Sequence, residues 1–469
     1  MGENENNQQQ GGTPPDIPSG GESGTPPDAP GGGESGGGNS SSSVTWSGAT
    51  EITSGGTYSN QTYTSTTANQ NALLVNTDEN VTLTNPTVTK TGSGESNDNA
   101  SFYGTNAGVL VKGGSTTTIN GGTVTTSANG ANGVFSYGGN GGQNGASGDG
   151  TTVVISDVTI STSGDGAGGI MTTGGGVTKA SNLTITTTGQ SSAPIRSDRG
   201  GGSVSVSGGS YTSSGLGSPA VYSTAAITVE NATLTSNLSE GVCIEGQNSV
   251  ALTNCTLTAN NTRTNGNAQF LDAVILYQSM SGDSASGTAT FTMTGGKLVN
   301  KSGHLFHVTN TNAVINLDNV DIDDSGSGVL LSVCDDGWSG ASNVATLNAS
   351  GQELDGDILV GNDSTLTLNL TGGTTFTGNV SGSITNASGS SISSEVGTVN
   401  VSLDSSSKWY LDSDVYISSF SGTAANVITG GHTLYVNNSP LSGTTESDDS
   451  TPSTVTTALN IANIVNNTL

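Results

Sequence analysis

Val206-Ser-Gly-Gly-Ser-Tyr211 and Val229-Glu-Asn-Ala-Thr-Leu234 carry one pattern, and that pattern decides the fold. An apolar residue is followed by Asn, Asp or Gly two positions later and by a second apolar residue five positions later. The same arrangement recurs as Leu83/Val88, Ile119/Val124, Ile155/Ile160, Ala180/Ile185, Val206/Tyr211, Val229/Leu234, Leu252/Leu257, Met293/Leu298 and Leu317/Ile322. Between the members stand Asn85, Gly121, Asp157, Asn182, Gly208, Asn231, Asn254, Gly295 and Asn319. The second members follow one another at 36, 36, 25, 26, 23, 23, 41 and 24 residues, a base period with insertions. Fixed self-similarity at this period is the mark of a solenoid. Asn, Asp and Gly tolerate left-handed backbone angles, so each predicts a sharp turn between two short strands. Stacked Asn side chains are expected to hydrogen-bond along the pile.

A third strand precedes each pair. Its segments include Ala72-Leu-Leu-Val-Asn76, Ala107-Gly-Val-Leu-Val111, Gly168-Gly-Ile-Met-Thr172, Ala193-Pro-Ile-Arg-Ser197, Pro219-Ala-Val-Tyr-Ser223, Glu240-Gly-Val-Cys-Ile244 and His304-Leu-Phe-His-Val308. Three strands per turn of roughly 24 residues predict a right-handed parallel β-helix with a thin apolar core. Such a core explains how Val, Ile, Leu and Phe can amount to only about a fifth of a folded chain. The column Leu74, Val109, Val134, Ile170, Ile195, Val221, Val242, Val274, Phe306 is apolar throughout and is expected to point inward. Its flanking positions then point outward.

The 469 residues contain 72 Gly, 9 Lys and Arg, and 37 Asp and Glu, for a formal net charge of −28. That balance excludes a nucleic-acid backbone as partner. No apolar run approaches the ~18 residues of a membrane-spanning helix, so no transmembrane segment is expected. Glycine lacks the three-residue period of collagen. Ser, Thr, Asn and Gly are poor helix-interior residues, which excludes a helical bundle.

Residues 1–43 repeat Gly-Thr-Pro-Pro-Asp at Gly12 to Asp16 and Gly24 to Asp28 and carry acids without bases, as expected of a disordered acidic tether. Residues 44–443 read as the solenoid, with looser and shorter coils after about 355. Residues 444–469 read as a polar spacer and C-terminal tail or cap. Met1-Gly2 runs directly into a polar stretch, the pattern expected of a mature secreted chain behind an added methionine. Few lysines, abundant Thr, Ser, Asn and Gly, and the acidic balance imply an extracellular protein, secreted or tethered to a cell surface. Cys243, Cys255 and Cys334 cannot all pair with one another, and none has metal-ligand spacing; they read as small buried apolar residues.

The outward columns beside the first strand hold the candidate site. The near column reads Val75, Leu110, Phe135, Met171, Arg196, Tyr222, Cys243, Ile275 and His307. The far column reads Thr77, Lys112, Tyr137, Thr173, Asp198, Thr224, Glu245, Tyr277 and Thr309. A solvated sheet face would be Thr, Ser, Asn and Lys. Insertions at Thr91–Asn106, Gly138–Thr151 and Asn260–Leu271 fall just before this strand and are placed to wall a groove. Three occupants of the face remain open: the loops themselves, with Phe135, Met171 and Ile275 as a second small core; a ligand; or a second copy of the chain. As a ligand groove, Tyr137, Met171, Arg196, Asp198, Arg199, Tyr222, Glu245, Tyr277 and His307 line it. Sugars stack on Tyr and take paired hydrogen bonds from carboxylate and guanidinium, so the expected ligand is a polysaccharide or cell-surface glycan.

The chain resembles the bacterial adhesin-like and pectin-lyase-like β-helix proteins in architecture over about residues 44–443. The stretches Ser405 to Leu411, Asp414 to Ile417 and Thr433 to Val436 resemble the closing coils of autotransporter passenger domains, which seal the solenoid with a Trp-containing strand. The resemblance implies a cleft on the first sheet and, as the alternative to adhesion, a polysaccharide lyase or glycosidase. Its motifs are incomplete. Asn76-Thr77-Asp78 matches the polygalacturonase triplet, but no Gly-His-Gly or Gly-Asp-Asp follows, and a turn is the expected role. Arg196, Asp198 and Glu245 are the weak catalytic candidates. Asp198 and Glu245 lie two coils apart, roughly 10 Å by strand spacing, at the outer limit for inverting carboxylates. The acid pairs Asp323-Asp324 and Asp335-Asp336 sit beside glycine-rich turns. Asp321-Ile-Asp-Asp324 and Gly148-Asp-Gly150 are candidate Ca²⁺ turns, without the nonapeptide arrays that would strengthen them. No other cofactor or metal is expected. The Thr-rich strings Thr116 to Thr126 and Thr184 to Thr188 are too irregular for an ice-binding face and reflect β-propensity.

Overall fold

All nine turn residues, from Asn85 to Asn319, have positive φ, between 48° at Asn85 and 68° at Gly208. The computed structural model describes residues 44–140, 147–279 and 281–448. Each turn ends one strand and starts the next, and successive coils stack in register as a right-handed parallel β-helix. The first sheet runs through thirteen parallel strands from Gly48–Ile52 to Val380–Ser381. The second runs through fourteen, from Gly56–Ser59 to Ser419–Ser421. The third has ten, from Thr62–Ser65 to Asp321–Asp324, and a four-stranded sheet from Glu353–Asp355 to Val427–Ile428 follows it. The expected tether, residues 1–43, lies outside the described residues, as does the tail from 449 onward.

Inside the solenoid each sheet contributes an apolar column. Val109, Val134, Ile170, Ile195, Val221, Val242, Val274 and Phe306 pair coil by coil in the first sheet and join one continuous core. The first coil departs from the expected alignment by one residue. Leu73, not Leu74, pairs with Val109, and Leu74 pairs with Leu110. Leu73 and Val75 therefore face the core, Leu74 faces outward, and Asn76 rather than Thr77 stands beside Lys112. In a strand a one-residue slip exchanges the two faces, and the run Ala72-Leu-Leu-Val75 has no alternation to fix its parity.

The third sheet ends inside the coil on a polar column: Thr126, Thr162, Thr187, Ser213 and Ser236 pair in sequence and are all buried. Thr126 donates to the Ala131 carbonyl at 2.6 Å, Thr162 to Ala167 at 2.5 Å and Ser213 to Ser218 at 2.6 Å. These three hydroxyls, with Ser236 on the Ser239 carbonyl at 3.0 Å, close the turn into the next coil, so those buried main-chain oxygens are satisfied without water; the Thr187 hydroxyl has no such partner. Lys90 occupies the same column, fully buried, with Nζ on the Thr67 carbonyl at 2.6 Å; burial lowers its pKa.

The turn Asn residues do not hydrogen-bond to one another as expected. Beside the Oδ1 atoms of Asn85, Asn182, Asn254 and Asn319 stands a glycine of the next coil. An Asn ladder does form on the outer face of the second sheet, where Asn348 donates to Asn316 and Asn369 to Asn348, both at 2.8 Å. At the C-terminal end Trp409 is fully buried, stacks on Phe376 at 5.6 Å and donates Nε1 to the Gly378 carbonyl at 3.0 Å. The strands Val415–Ile417, Leu434–Val436 and Ser439–Pro440 form a small sheet beyond it.

Candidate functional site

The outward columns of the first sheet point away from the solenoid core, as their parity demands. They do not form an open groove. Tyr137, Met171, Arg196, Asp198, Tyr222, Glu245, Tyr277 and His307 are all buried, and the inserted segments pack onto them. Long connections supply the apolar cover that this face needs, which is the second-core arrangement.

Toward the N-terminal end, Leu74, Ala107, Leu110, Phe135, Tyr137 and Met171 form one apolar cluster with Trp46 and Tyr103. The helix Asp98–Tyr103 supplies the lid. Asn97 caps it, Oδ1 accepting from the Ala100 N–H at 3.1 Å, and Gly104 ends it at φ 68°. A Cβ on Gly104 would stand 2.8 Å from Leu110 and 3.0 Å from Phe135, so glycine sets how closely the lid sits. Tyr137 lies 5.7 Å from the Tyr103 ring and 5.8 Å from Trp46, and burial pushes its hydroxyl up to about 12.

The centre is polar. Arg196 and Asp198 form a buried ion pair at 3.1 Å, 2% and 0% exposed. Arg196 also donates to the Gly166 and Ser191 carbonyls, and Asp198 accepts from the Arg199 N–H at 2.9 Å. Arg199 reaches the other way, to Asp283 at 2.8 Å, with its guanidinium 4.1 Å above the Phe102 ring. One coil on, the Tyr222 hydroxyl donates to Glu245 Oε2 at 2.7 Å and Tyr277 approaches the same oxygen at 3.4 Å, while Ser279 donates to Oε1. Burial pushes Asp198, Glu245 and Asp283 above the ordinary carboxylate range. Ser279 and residues 281–287 are thereby strapped to the sheet, with Ser284 donating to the Glu245 carbonyl at 2.8 Å.

Toward the C-terminal end, His307 sits between Ser332 Oγ at 2.7 Å and Asp336 Oδ2 at 3.0 Å, and His304 shares the same hydroxyl at 2.7 Å. Phe270 lies 4.7 Å from the His307 ring and Trp338 lies 4.8 Å from Tyr277. Burial pushes His304 down to about 3. The three cysteines are free and buried, as expected of small core residues.

These contacts bear on the catalytic candidates. A general acid or base must reach the substrate's proton, and Asp198 and Glu245 are sealed under protein with their oxygens engaged. Asn76, the last residue of strand Asn71–Asn76, accepts from Lys112 at 3.1 Å, and Thr77, in the turn after it, accepts from the Glu79 N–H at 3.2 Å. Asp149 accepts from Thr151 at 2.6 Å; Asp321 to Asp324, expected to turn, is instead a strand of the third sheet, in which Asp324 accepts from Asn300 at 2.9 Å and Lys297 lies 3.2 Å from Asp323. Asp335 accepts from Asn343 at 2.7 Å.

One open concavity lies one turn away from the covered face. Where the first sheet passes into the second, Gly148, Gly175, Gly176 and Gly200 to Gly202 line a trench of ≈ 380 Å³, bordered by Ser203, Ala226, Gln247 and Asn248. The close approach of coils there demands glycine: a Cβ on Gly202 would stand 2.2 Å from the Gly176 carbonyl, at φ 139°. Ser203, Ala226 and Gln247 are exposed at its rim. The outward-column reading passed over this trench, although Gly174-Gly175-Gly176 and Gly200-Gly201-Gly202, one coil apart, were its visible signal. No helix among the described residues is long and apolar enough to cross a membrane. No protein-family model matches the chain, and no curated protein matches it.

Proposed function

We propose that the chain is a non-catalytic β-helix, secreted or displayed at a cell surface, that binds an extended neutral glycan in the glycine-lined trench between the first and second sheets. The observation that carries this reading is the trench itself: ≈ 380 Å³ of solvent-facing concavity, with exposed Ser203 and Gln247 available to sugar hydroxyls. Stripping side chains from the floor lets a flat ring approach the main chain, whose polar groups then add to recognition. The net charge of −28 repels polyuronates and other anionic polymers, which favours a neutral sugar. The adhesin-like resemblance of the architecture agrees with this role. The lyase or glycosidase alternative needs carboxylates at the ligand, whereas Asp198 and Glu245 are buried beneath loops.

Probing a glycan array with the full chain tests the reading. Ser203→Trp and Ala226→Trp, which pair across adjacent coils and are exposed, fill the trench without touching the core. Both are expected to weaken glycan binding tenfold or more, about 1.4 kcal/mol, with unchanged Tm. Binding that ignores both substitutions refutes the trench. Shortening of a polysaccharide by the purified chain refutes the non-catalytic role.

A further inference from the structure

We infer that Glu240, Asp272 and the carboxamide oxygen of Asn261 form a structural calcium site that pins segment 260–271 onto the first sheet. Val242 pairs with Val274, and each carboxylate stands two residues ahead of its valine, so Glu240 and Asp272 hold the same row in adjacent coils. Adjacent rows lie ~4.8 Å apart. Glu240 is 8% exposed and Asp272 1%. Among the described residues neither has a Lys or Arg partner. The charges acting on Asp272 are those of Glu240 and Asp336, both of its own sign. The next residue in the row, His304, turns its Nδ1 to Ser332 instead.

A second observation points to a missing positive partner. Asp272 Oδ1 and Asn261 Oδ1 are buried without any hydrogen-bond donor, and both amide atoms of Asn265 on the same segment are unpartnered as well. Asn261, 1% exposed, is held at the row because its Nδ2 donates to the Asp272 carbonyl at 3.2 Å, which leaves its Oδ1 without a donor. Glu240 takes donors from Ser239 and Cys243, but burying a second carboxylate beside it with two orphaned oxygens is unfavourable, and a cation offsets that cost.

The donor set selects the ion. No three His, Cys, Asp or Glu side chains among the described residues converge to hold a metal by themselves, so the site depends on carboxamide oxygen and water. Hard oxygen donors in a flexible set suit Ca²⁺, which takes six to eight of them, over Zn²⁺, which would draw on His and Cys, or Mg²⁺, which demands a small octahedron. Two carboxylates place the affinity at the weak end, roughly 10⁻⁴–10⁻³ M. Segment 260–271 belongs to the longest coil, spaced 41 residues from Leu257 to Leu298, and has the most chain to fasten.

The test strips the full-length chain with EDTA and titrates calcium chloride by calorimetry in 0.15 M NaCl, with Tm read in parallel. One saturable site per chain and a calcium-dependent rise in Tm are expected. Asp272→Asn and Glu240→Gln are expected to weaken binding roughly tenfold or more, and Asn261→Ala measurably. Asp321→Asn, exposed on the strand Asp321–Asp324 and facing Lys297, is expected to leave the site unchanged. Should a carboxylate variant fail to fold, Asn261→Ala and Asn265→Ala on the covering segment carry the comparison. Absence of saturable calcium binding by a stripped chain with native circular dichroism overturns the proposal, as do Asn261→Ala and Asp272→Asn chains that bind like the parent. A stripped chain that ignores calcium yet gains Tm on Asp272→Asn also overturns it, because the pocket then holds protonated carboxyls and water.

Discussion

Asn182 Oδ1 occupies the place beside Gly208 where a side chain would begin: a Cβ there would stand 2.5 Å from it. The relation repeats at Asn85/Gly121 with 2.3 Å, Asn254/Gly295 with 2.6 Å and Asn319/Gly351 with 2.5 Å. At these four turns glycine follows Asn because the carboxamide fills the next coil's space, whereas the Asn231 turn is followed by Asn254. Gly208→Ala is expected to be destabilising by about 2 kcal/mol or more, from the αL penalty at φ 68° and from the contact with Asn182. Pairing it with Asn182→Gly in a double-mutant cycle isolates the contact, since trimming Asn182 relieves the clash but not the backbone strain. A coupling of zero by urea denaturation would show that the stacked carboxamide has no part in the choice of glycine.

The turn residues were legible because Asn, Asp and Gly recur at a fixed offset from paired apolar positions, and a single residue type answers a single local demand. The outward face was legible as a face, since strand parity follows from the inward column. Whether loops or solvent cover it was not, because that depends on where segments 91–106, 260–271 and 334–343 fold back. Arg196 shows the limit: its column reads as surface by charge, yet Asp198, two residues on, and the Gly166 and Ser191 carbonyls make a buried guanidinium tolerable. The slip at Leu73/Leu74 has a different cause, an apolar run without alternation. The glycine trench was visible as triplets, but glycine carries no chemistry that draws attention to it.

Glu245 should make stability fall as pH rises. Burial raises its folded-state pKa above the ordinary value, against the hydrogen bonds from Ser279 and Tyr222, with Asp283 adding to the rise. Asp198, whose pKa is also raised, and Tyr222 and Tyr277 face the same cluster. A folded state that binds its proton more tightly is fully stable below the unfolded carboxyl pKa and loses stability as pH climbs toward the folded value. Glu245→Gln is expected to flatten that decline between about pH 4.5 and the folded value, and to leave stability below pH 4 little changed. Denaturant midpoints measured across pH 3.5 to 8 check this. A steeper decline in the variant would mean that the carboxylate is stabilised as an anion.

Cys243, Cys255 and Cys334 should be silent in the native protein. All three are free and at most 1% exposed, and burial raises each thiol above its ordinary range. Thiolate is the reactive species, so both access and ionisation are suppressed. A thiol reagent at pH 8 is expected to modify none in the native chain and all three in denaturant. Rapid native labelling of Cys243 would show that the cover over the first sheet opens.

Trp409 should hold the C-terminal coils and little else. It is fully buried against Phe376, pairs with Val427 on one side and donates to Gly378 on the other. Replacing it by Ala removes a large side chain and leaves a cavity, at a cost of about 3–5 kcal/mol. In a solenoid each coil contacts only its neighbours, so this loss stays local. Hydrogen exchange of Trp409→Ala is expected to show protection lost from Glu353–Asp355 through Leu434–Val436, with the coils between Thr116–Asn120 and Ser249–Thr253 unchanged. Loss of protection along the whole chain would instead mark the closing coil as the nucleus on which all the others depend.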